Sequence, residues 1–132
     1  MLFRSATMRE MLSNLREFEA GPDPFGRMWQ VKFVWLQTGI SIRHADTVDI
    51  KFVVSDGAYS DEKVIALPHP LLVSLTEQAG VPLSDPLCLK VAVDHLRRMI
   101  ESGEDMEKPL VTLTAADIER SMAATNPVGA AR

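Results

Sequence analysis

The chain has 132 residues, of which 46% are apolar and 24% are charged, and its formal net charge at pH 7 is −4. This length suits one domain that buries a core of its own, and the composition excludes disordered, collagen-like and coiled-coil proteins. No run of residues approaches the roughly 18 apolar positions of a transmembrane helix, so no membrane partner is expected. Proteins that bind nucleic acid normally carry a basic surplus, so the acidic balance also disfavours nucleic acid as a partner.

The cysteine content bears on the cellular compartment. Cys88 is the single cysteine, so no intrachain disulfide can form, which fits a reducing environment. Residues 1–10 contain Arg4 and Arg9 but no apolar stretch of the kind that a secretory signal peptide requires. We therefore expect a cytoplasmic protein.

The first predicted helix covers residues 7–20. Thr7 and Glu10 have the spacing of a capping box, and apolar residues follow at the three- and four-residue intervals of one helix face. Gly21 and Pro22 then end the helix, in the order typical of a helix C-terminus.

A strand is predicted over residues 27–36. Alternation with a period of two places four residues on one face, which is strongly aromatic: Trp29, Val31, Phe33 and Trp35. The opposite face also carries two apolar residues, so both faces need cover. We expect a helix of the same domain on the first face, and either the N-terminal helix or a second subunit on the other.

Two further alternating segments predict the rest of a β-meander. Apolar residues occupy every second position of residues 48–54, and residues 63–67 form a short apolar strand after the turn signal Asp56-Gly57. The chain around residues 43–47 forms either a bulge within one long strand or a turn between two strands, and the sequence leaves both open.

Helical patterns follow the meander. Residues 70–79 and 87–102 predict two helices, each followed directly by a glycine. Residues 109–113 predict a short strand. Thr114 then caps a last helix, which has Asp117 at its third position.

Together these elements predict an α+β fold. An antiparallel β-meander of three to four strands packs against two or more helices, with a short returning strand and a terminal helix. Residues 1–22 are expected to form an N-terminal helix and a proline-rich connector, residues 23–124 a single α+β domain, and residues 125–132 a flexible tail.

The polar group His44, Asp46 and Asp49 consists of side chains that ligate metals or take part in acid–base catalysis. Strand periodicity places Asp49 opposite the other two, and the spacing matches no established metal motif. We interpret the group as a polar hairpin tip. His44 and Asp46 are kept as ligand-binding candidates, and no metal is predicted.

His69 lies between two prolines at the start of a predicted helix. The unpaired N–H groups and the positive end of the helix dipole favour a neutral imidazole there, and they can hold an anion. His69 is therefore the third ligand-binding candidate, although a rigid corner between strand and helix is the simpler interpretation.

Two other patterns predict no chemistry. Cys88 and His95 would lie on one helix, about 10 Å apart along its axis, which is too far for a catalytic dyad. Arg97 and Arg98 lie among carboxylates at the spacing of helix-surface pairs, so they predict a charge-balanced face rather than a nucleic-acid site.

The sequence indicates no catalytic residue and no cofactor, because no established phosphate-binding, nucleotide-binding or nucleophile motif occurs. We therefore predict a non-catalytic interaction or regulatory protein that self-associates as a homo-oligomer, with a dimer favoured. The alternative is a small enzyme or ligand-binding protein with a pocket near His69.

Overall fold

The computed structural model describes residues 15–39 and 46–125. A five-stranded sheet has its strands in chain order: β1 (Glu17–Ala20), β2 (Trp29–Gly39), β3 (Thr47–Ser55), β4 (Ser60–Pro68) and β5 (Leu110–Thr112). The first four strands pair antiparallel, and β5 pairs parallel with β4. Three helices complete the described part of the chain: α1 (His69–Ala79), α2 (Asp85–Ser102) and α3 (Ala115–Thr125). The predicted α+β fold, with its antiparallel meander, returning strand and terminal helix, is confirmed.

Local signals in the sequence set the ends of the helices. Ser84 precedes α2, and its Oγ accepts a hydrogen bond from the Leu87 N–H at 3.3 Å. At the other end, Gly103 has a φ of 79°, a conformation that glycine adopts without steric cost. Thr114 and Asp117 form a reciprocal capping box at α3, because each side chain accepts the backbone N–H of the other, at 3.2 and 3.0 Å.

The inner face of the sheet and one side of α2 form the core. Ile50 and Phe52 of β3 are fully buried, as are Leu96 and Ile100 of α2. The sequence predicts this packing from the period of two in the strand and the period of 3.6 in the helix. Within residues 15–39 and 46–125, the helices fall short of the length and hydropathy that a membrane crossing demands.

A β-bulge at Val34 changes the faces of β2. Phe33 pairs with Phe52, and the next pair along the strand is Trp35 with Lys51, so Val34 has no opposite residue. Beyond the bulge the alternation reverses. Trp35 therefore lies on the outer face, where the Lys51 Nζ is 5.9 Å from the centroid of its ring.

The predicted position of Trp35 in the core is therefore wrong. Leu36 takes the inward position instead, because it pairs with the fully buried Ile50. Trp29 keeps its predicted place in the core and is 5% exposed. A bulge adds one residue to the strand, and the pattern of apolar residues around Trp35 gives no sign of it.

The outer face of the sheet mixes apolar and charged side chains. Val53 pairs with Lys32 on one side and with Glu62 on the other, so the three side chains share this face. Lys51 and Glu62 form an ion pair at 3.0 Å. The apolar surface expected on this face is therefore interrupted by charges.

The predicted first helix, over residues 7–20, is wrong for residues 17–20. Leu15 and Arg16 are helical, but the next four residues form β1 and pair with β2. Phe18 fits either structure, because an apolar residue at this spacing suits one face of a helix or one face of a strand. The predicted helix before Leu15 and the predicted tail after Thr125 lie outside the described residues.

Candidate functional site

The turn between β1 and β2 is built around the carboxylate of Asp23, whose side chain is 6% exposed. Its Oδ1 accepts the backbone N–H groups of Phe25 at 2.9 Å and Arg27 at 2.8 Å. Its Oδ2 accepts hydrogen bonds from Arg27 Nε and Trp29 Nε1, both at 3.0 Å. Burial alone would raise the pKa of Asp23, but these hydrogen bonds outweigh it and lower the pKa to about 2. An ionised carboxylate therefore fixes the conformation of this turn.

Aromatic and cationic groups surround the turn. The Arg27 guanidinium donates to Asp56 Oδ2 at 3.2 Å, which links this turn to the one between β3 and β4. It also lies 5.1 Å from the Trp29 ring and 5.7 Å from the Phe25 ring. Tyr59 meets Trp29 edge to face, with ring centroids 6.4 Å apart. Phe25 is 83% exposed and Tyr59 56%, so the two turns present two aromatic rings to solvent.

A cleft of about 290 Å³, which we call the aromatic cleft, is lined by Phe25 and Tyr59. Its apolar floor comes from β2, β3, α2 and the loop after α2, and consists of Trp29, Val54, Ile100 and Met106. Its volume exceeds the roughly 150 Å³ of an apolar cavity that binds benzene, so one aromatic ring fits inside. The cleft is therefore suited to an apolar or aromatic group.

Lys63 also lines the aromatic cleft and is 1% exposed. Its ammonium donates to the main-chain oxygen of Met106 and, at 3.0 Å, to that of Lys108, and it lies 3.5 Å from Asp61 Oδ2. Each of its three N–H donors thus has an acceptor, which is how a buried charge is tolerated. Lys63 therefore holds the loop after α2 against β4 rather than offering a reactive amine.

The structure brings two of the three predicted ligand-binding residues together. Asp46 precedes β3 and His69 begins α1, and the His69 N–H donates to the Asp46 main-chain oxygen at 2.8 Å. Neither residue lines the aromatic cleft, and their role in ligand binding stays a prediction. His44 lies outside the described residues. Asp49 accepts a hydrogen bond from the Thr47 hydroxyl at 2.8 Å.

The remaining residues that the sequence singled out lie on α2. Cys88 is buried, and burial together with the Asp85 carboxylate raises the pKa of its thiol to about 11. The predicted helix-surface pair is confirmed, since Arg98 Nε lies 2.9 Å from Asp94 Oδ2. Arg97 instead places its guanidinium 4.4 Å from the centroid of the Phe18 ring. Both arginines therefore contact groups of the protein itself.

No group of three metal-ligating side chains converges within residues 15–39 and 46–125. Comparisons with protein-family models, curated protein sequences and solved structures found no match to this chain. The function therefore has to be inferred from the geometry of the molecule.

We did not predict the aromatic cleft from the sequence, although two residues of the turn between β1 and β2 indicate parts of it. An aspartate between prolines, as at Asp23, is suited to accept hydrogen bonds from nearby main-chain N–H groups. Phe25 is an aromatic residue at a turn, where solvent exposure is the rule. Tyr59 and Lys63 join these residues only through the pairing of β2, β3 and β4.

Proposed function

We propose that this protein is a non-catalytic interaction module that forms a homodimer through the aromatic cleft. The observation that carries the proposal is Phe25, which is 83% exposed on a turn that the Asp23 carboxylate holds in place. An aromatic ring on a fixed backbone loses little conformational entropy when it binds. Exposed aromatic residues beside a well-defined pocket are typical of the residues that dominate interface energies.

The position of Phe25 beside the cleft supports a twofold-symmetric dimer. In such a dimer both copies use the same surface, so a protruding group and the pocket that receives it have to lie on one patch. Phe25 is the protruding group, and the cleft that Trp29 and Met106 line is the receiving pocket. In the proposed dimer, Phe25 of each copy inserts into the cleft of the other.

The charges around the cleft favour a second copy as the occupant. Arg27, whose side chain is 50% exposed, and the exposed Glu107 both line the cleft. A twofold axis allows Arg27 of each copy to approach Glu107 of the other, which pairs opposite charges twice. A nucleic acid would instead meet the carboxylates of Glu107 and Asp61.

The proposal includes a cytoplasmic location. Cys88 is the only cysteine of the chain and is buried, so an oxidising compartment would add no intrachain disulfide to the fold. Stability then rests on the core and the proposed interface, which suits a reducing environment.

Light scattering after size exclusion, across a dilution series, tests the proposed dimer. We expect the wild type to dissociate only on dilution, and Phe25→Ser to raise the dissociation constant at least about 30-fold, which corresponds to about 2 kcal/mol. Val34→Ser is the matched control, because Val34 is 44% exposed but does not line the cleft. A monomeric wild type would overturn the proposal. So would a dimer that Val34→Ser weakens and Phe25→Ser does not.

A further inference from the structure

A second cleft, of about 430 Å³, is lined by α2, β5, α3 and the loop between α2 and β5. We call it the histidine cleft, because His95 of α2 lines it. It shares no lining residue with the aromatic cleft. Substitutions can therefore be made in one cleft without replacing a lining residue of the other.

The histidine cleft contains a buried polar group without a partner. His95 is 7% exposed, and its Nδ1 forms no hydrogen bond. Burial lowers the pKa of His95, although the Asp117 carboxylate opposes this shift. The imidazole is therefore neutral at pH 7, and a neutral imidazole both donates and accepts hydrogen bonds. An unsatisfied buried nitrogen destabilises a fold, and a ligand that bonds to Nδ1 would remove that cost.

Three basic side chains from three segments line the same cleft: Arg98, Lys108 and Arg120. Each is paired through one nitrogen with a carboxylate three or four residues away. The pairs are Arg98–Asp94 at 2.9 Å, Lys108–Asp105 at 3.1 Å and Arg120–Asp117 at 2.9 Å. A guanidinium has five N–H donors and an ammonium has three. Among the described residues, most of these donors therefore have no acceptor.

The acceptors of the cleft are more fully used than its donors. Asp117 accepts the Thr114 N–H through Oδ2 and the Arg120 guanidinium through Oδ1. The lining also includes Glu104 and Asp105, and Asp94 pairs with Arg98, so four carboxylates surround the three cations. A cleft with spare donors and a formal charge of −1 suits a ligand that is rich in acceptors and carries little negative charge.

We propose that the histidine cleft binds a small organic acid through its single carboxylate group. Arg98 and Arg120 supply charge-assisted donors whose planar geometry matches a carboxylate. Met99, Leu110 and Val111 line the cleft as well and provide an apolar surface for the organic part of the ligand. Phosphate, with its higher charge, would meet stronger repulsion from the four carboxylates.

Nuclear magnetic resonance titration of the full chain with sodium butyrate tests this proposal, with sodium phosphate and sodium chloride at equal ionic strength as comparison ions. We expect saturable shifts of the His95 ring nitrogens and of the amides that line the histidine cleft. Shifts that do not saturate would overturn the proposal, as would an equal response to phosphate or chloride.

Variants locate the site. Arg98→Gln is expected to raise the butyrate dissociation constant about tenfold, because one charge-assisted interaction is lost. Arg97→Gln is the matched control, since the neighbouring guanidinium lies over the Phe18 ring and does not line the cleft. Arg120→Gln is a second variant and decides the question if Arg98→Gln disturbs the fold. Equal weakening by the cleft and control variants would refute the site.

Discussion

At the scale of single residues, the carboxylate of Asp23 links the backbone to the proposed interface. It accepts hydrogen bonds from two N–H groups of its own turn and from the side chains of Arg27 and Trp29. Phe25 lies within this turn, so the placement of its ring depends on a nearly buried, ionised group. Loss of the charge on Asp23 should therefore loosen the turn.

The pH dependence of stability checks this role of Asp23. Its folded pKa of about 2 is below the ordinary value of 3.8, so ionised Asp23 stabilises the fold fully above about pH 4. This contribution is lost as the pH falls from about 4 to 2. We expect Asp23→Asn to lower the Tm at pH 7, and the difference from wild type to shrink between pH 4 and pH 2. Thermal unfolding followed by circular dichroism measures this, and a difference that is unchanged down to pH 2 contradicts the role.

The thiol of Cys88 is expected to be unreactive in the folded protein. Its pKa of about 11 means that the thiolate, the reactive form, is rare at pH 8. We expect dithionitrobenzoate to react at least about 100-fold more slowly with the folded protein than with protein unfolded in guanidinium, whose thiol has an ordinary pKa. Similar rates in the two states would show that Cys88 is accessible and ionised.

Single-residue signals in the sequence predict the helix caps but not the cleft. Thr114 is recognisable because a capping hydroxyl acts within three residues of itself. Phe25 and Tyr59 line one cleft only because the two strands between them, β2 and β3, pair with each other. Lys63 is buried against main-chain oxygens of a distant loop, and any residue type supplies such acceptors.

At the scale of elements, α2 positions side chains for both clefts. Ile100 contributes to the floor of the aromatic cleft, whereas His95 and Arg98 line the histidine cleft. Leu89 and Leu96, on the same buried side of the helix as Ile100, pack against the sheet. Both clefts therefore depend on the docking of α2 on the sheet.

Truncation of a core residue in α2 tests this docking. Leu96 is fully buried, so Leu96→Ala should lower the free energy of unfolding by about 2–5 kcal/mol. Glu101→Ala is the control, because Glu101 is exposed on the same helix and should change stability by less than about 0.5 kcal/mol. Urea denaturation measures both. A cost below about 0.5 kcal/mol for Leu96→Ala would mean that the inner side of the helix is misplaced.

The elements differ in how well the sequence predicts them. The sequence predicts α2 and the strand of residues 48–54 well, because in each of them apolar residues recur at one regular spacing. Residues 17–20 are too short for a period, and Phe18 fits a helix as well as a strand. The bulge at Val34 is hidden because apolar residues lie on both sides of it, so the reversal of faces leaves the pattern unchanged.

At the scale of the whole molecule, the aromatic cleft and the histidine cleft differ in character. The aromatic cleft has an apolar floor and an exposed ring, Phe25, beside it. The histidine cleft is lined mainly by charged and polar side chains around His95. We infer that the first cleft serves self-association and that the second serves a small ligand. The two roles can be separated by mutation, since no residue lines both clefts.

Intermolecular nuclear Overhauser effects test the proposed dimer most directly. The sample is an equal mixture of protein labelled with carbon-13 and nitrogen-15 and unlabelled protein, and the spectrum is filtered for contacts between the two. We predict contacts between the Phe25 ring of one copy and the Met106 methyl group of the other. Their absence from a sample that light scattering shows to be dimeric would contradict insertion of Phe25 into the aromatic cleft.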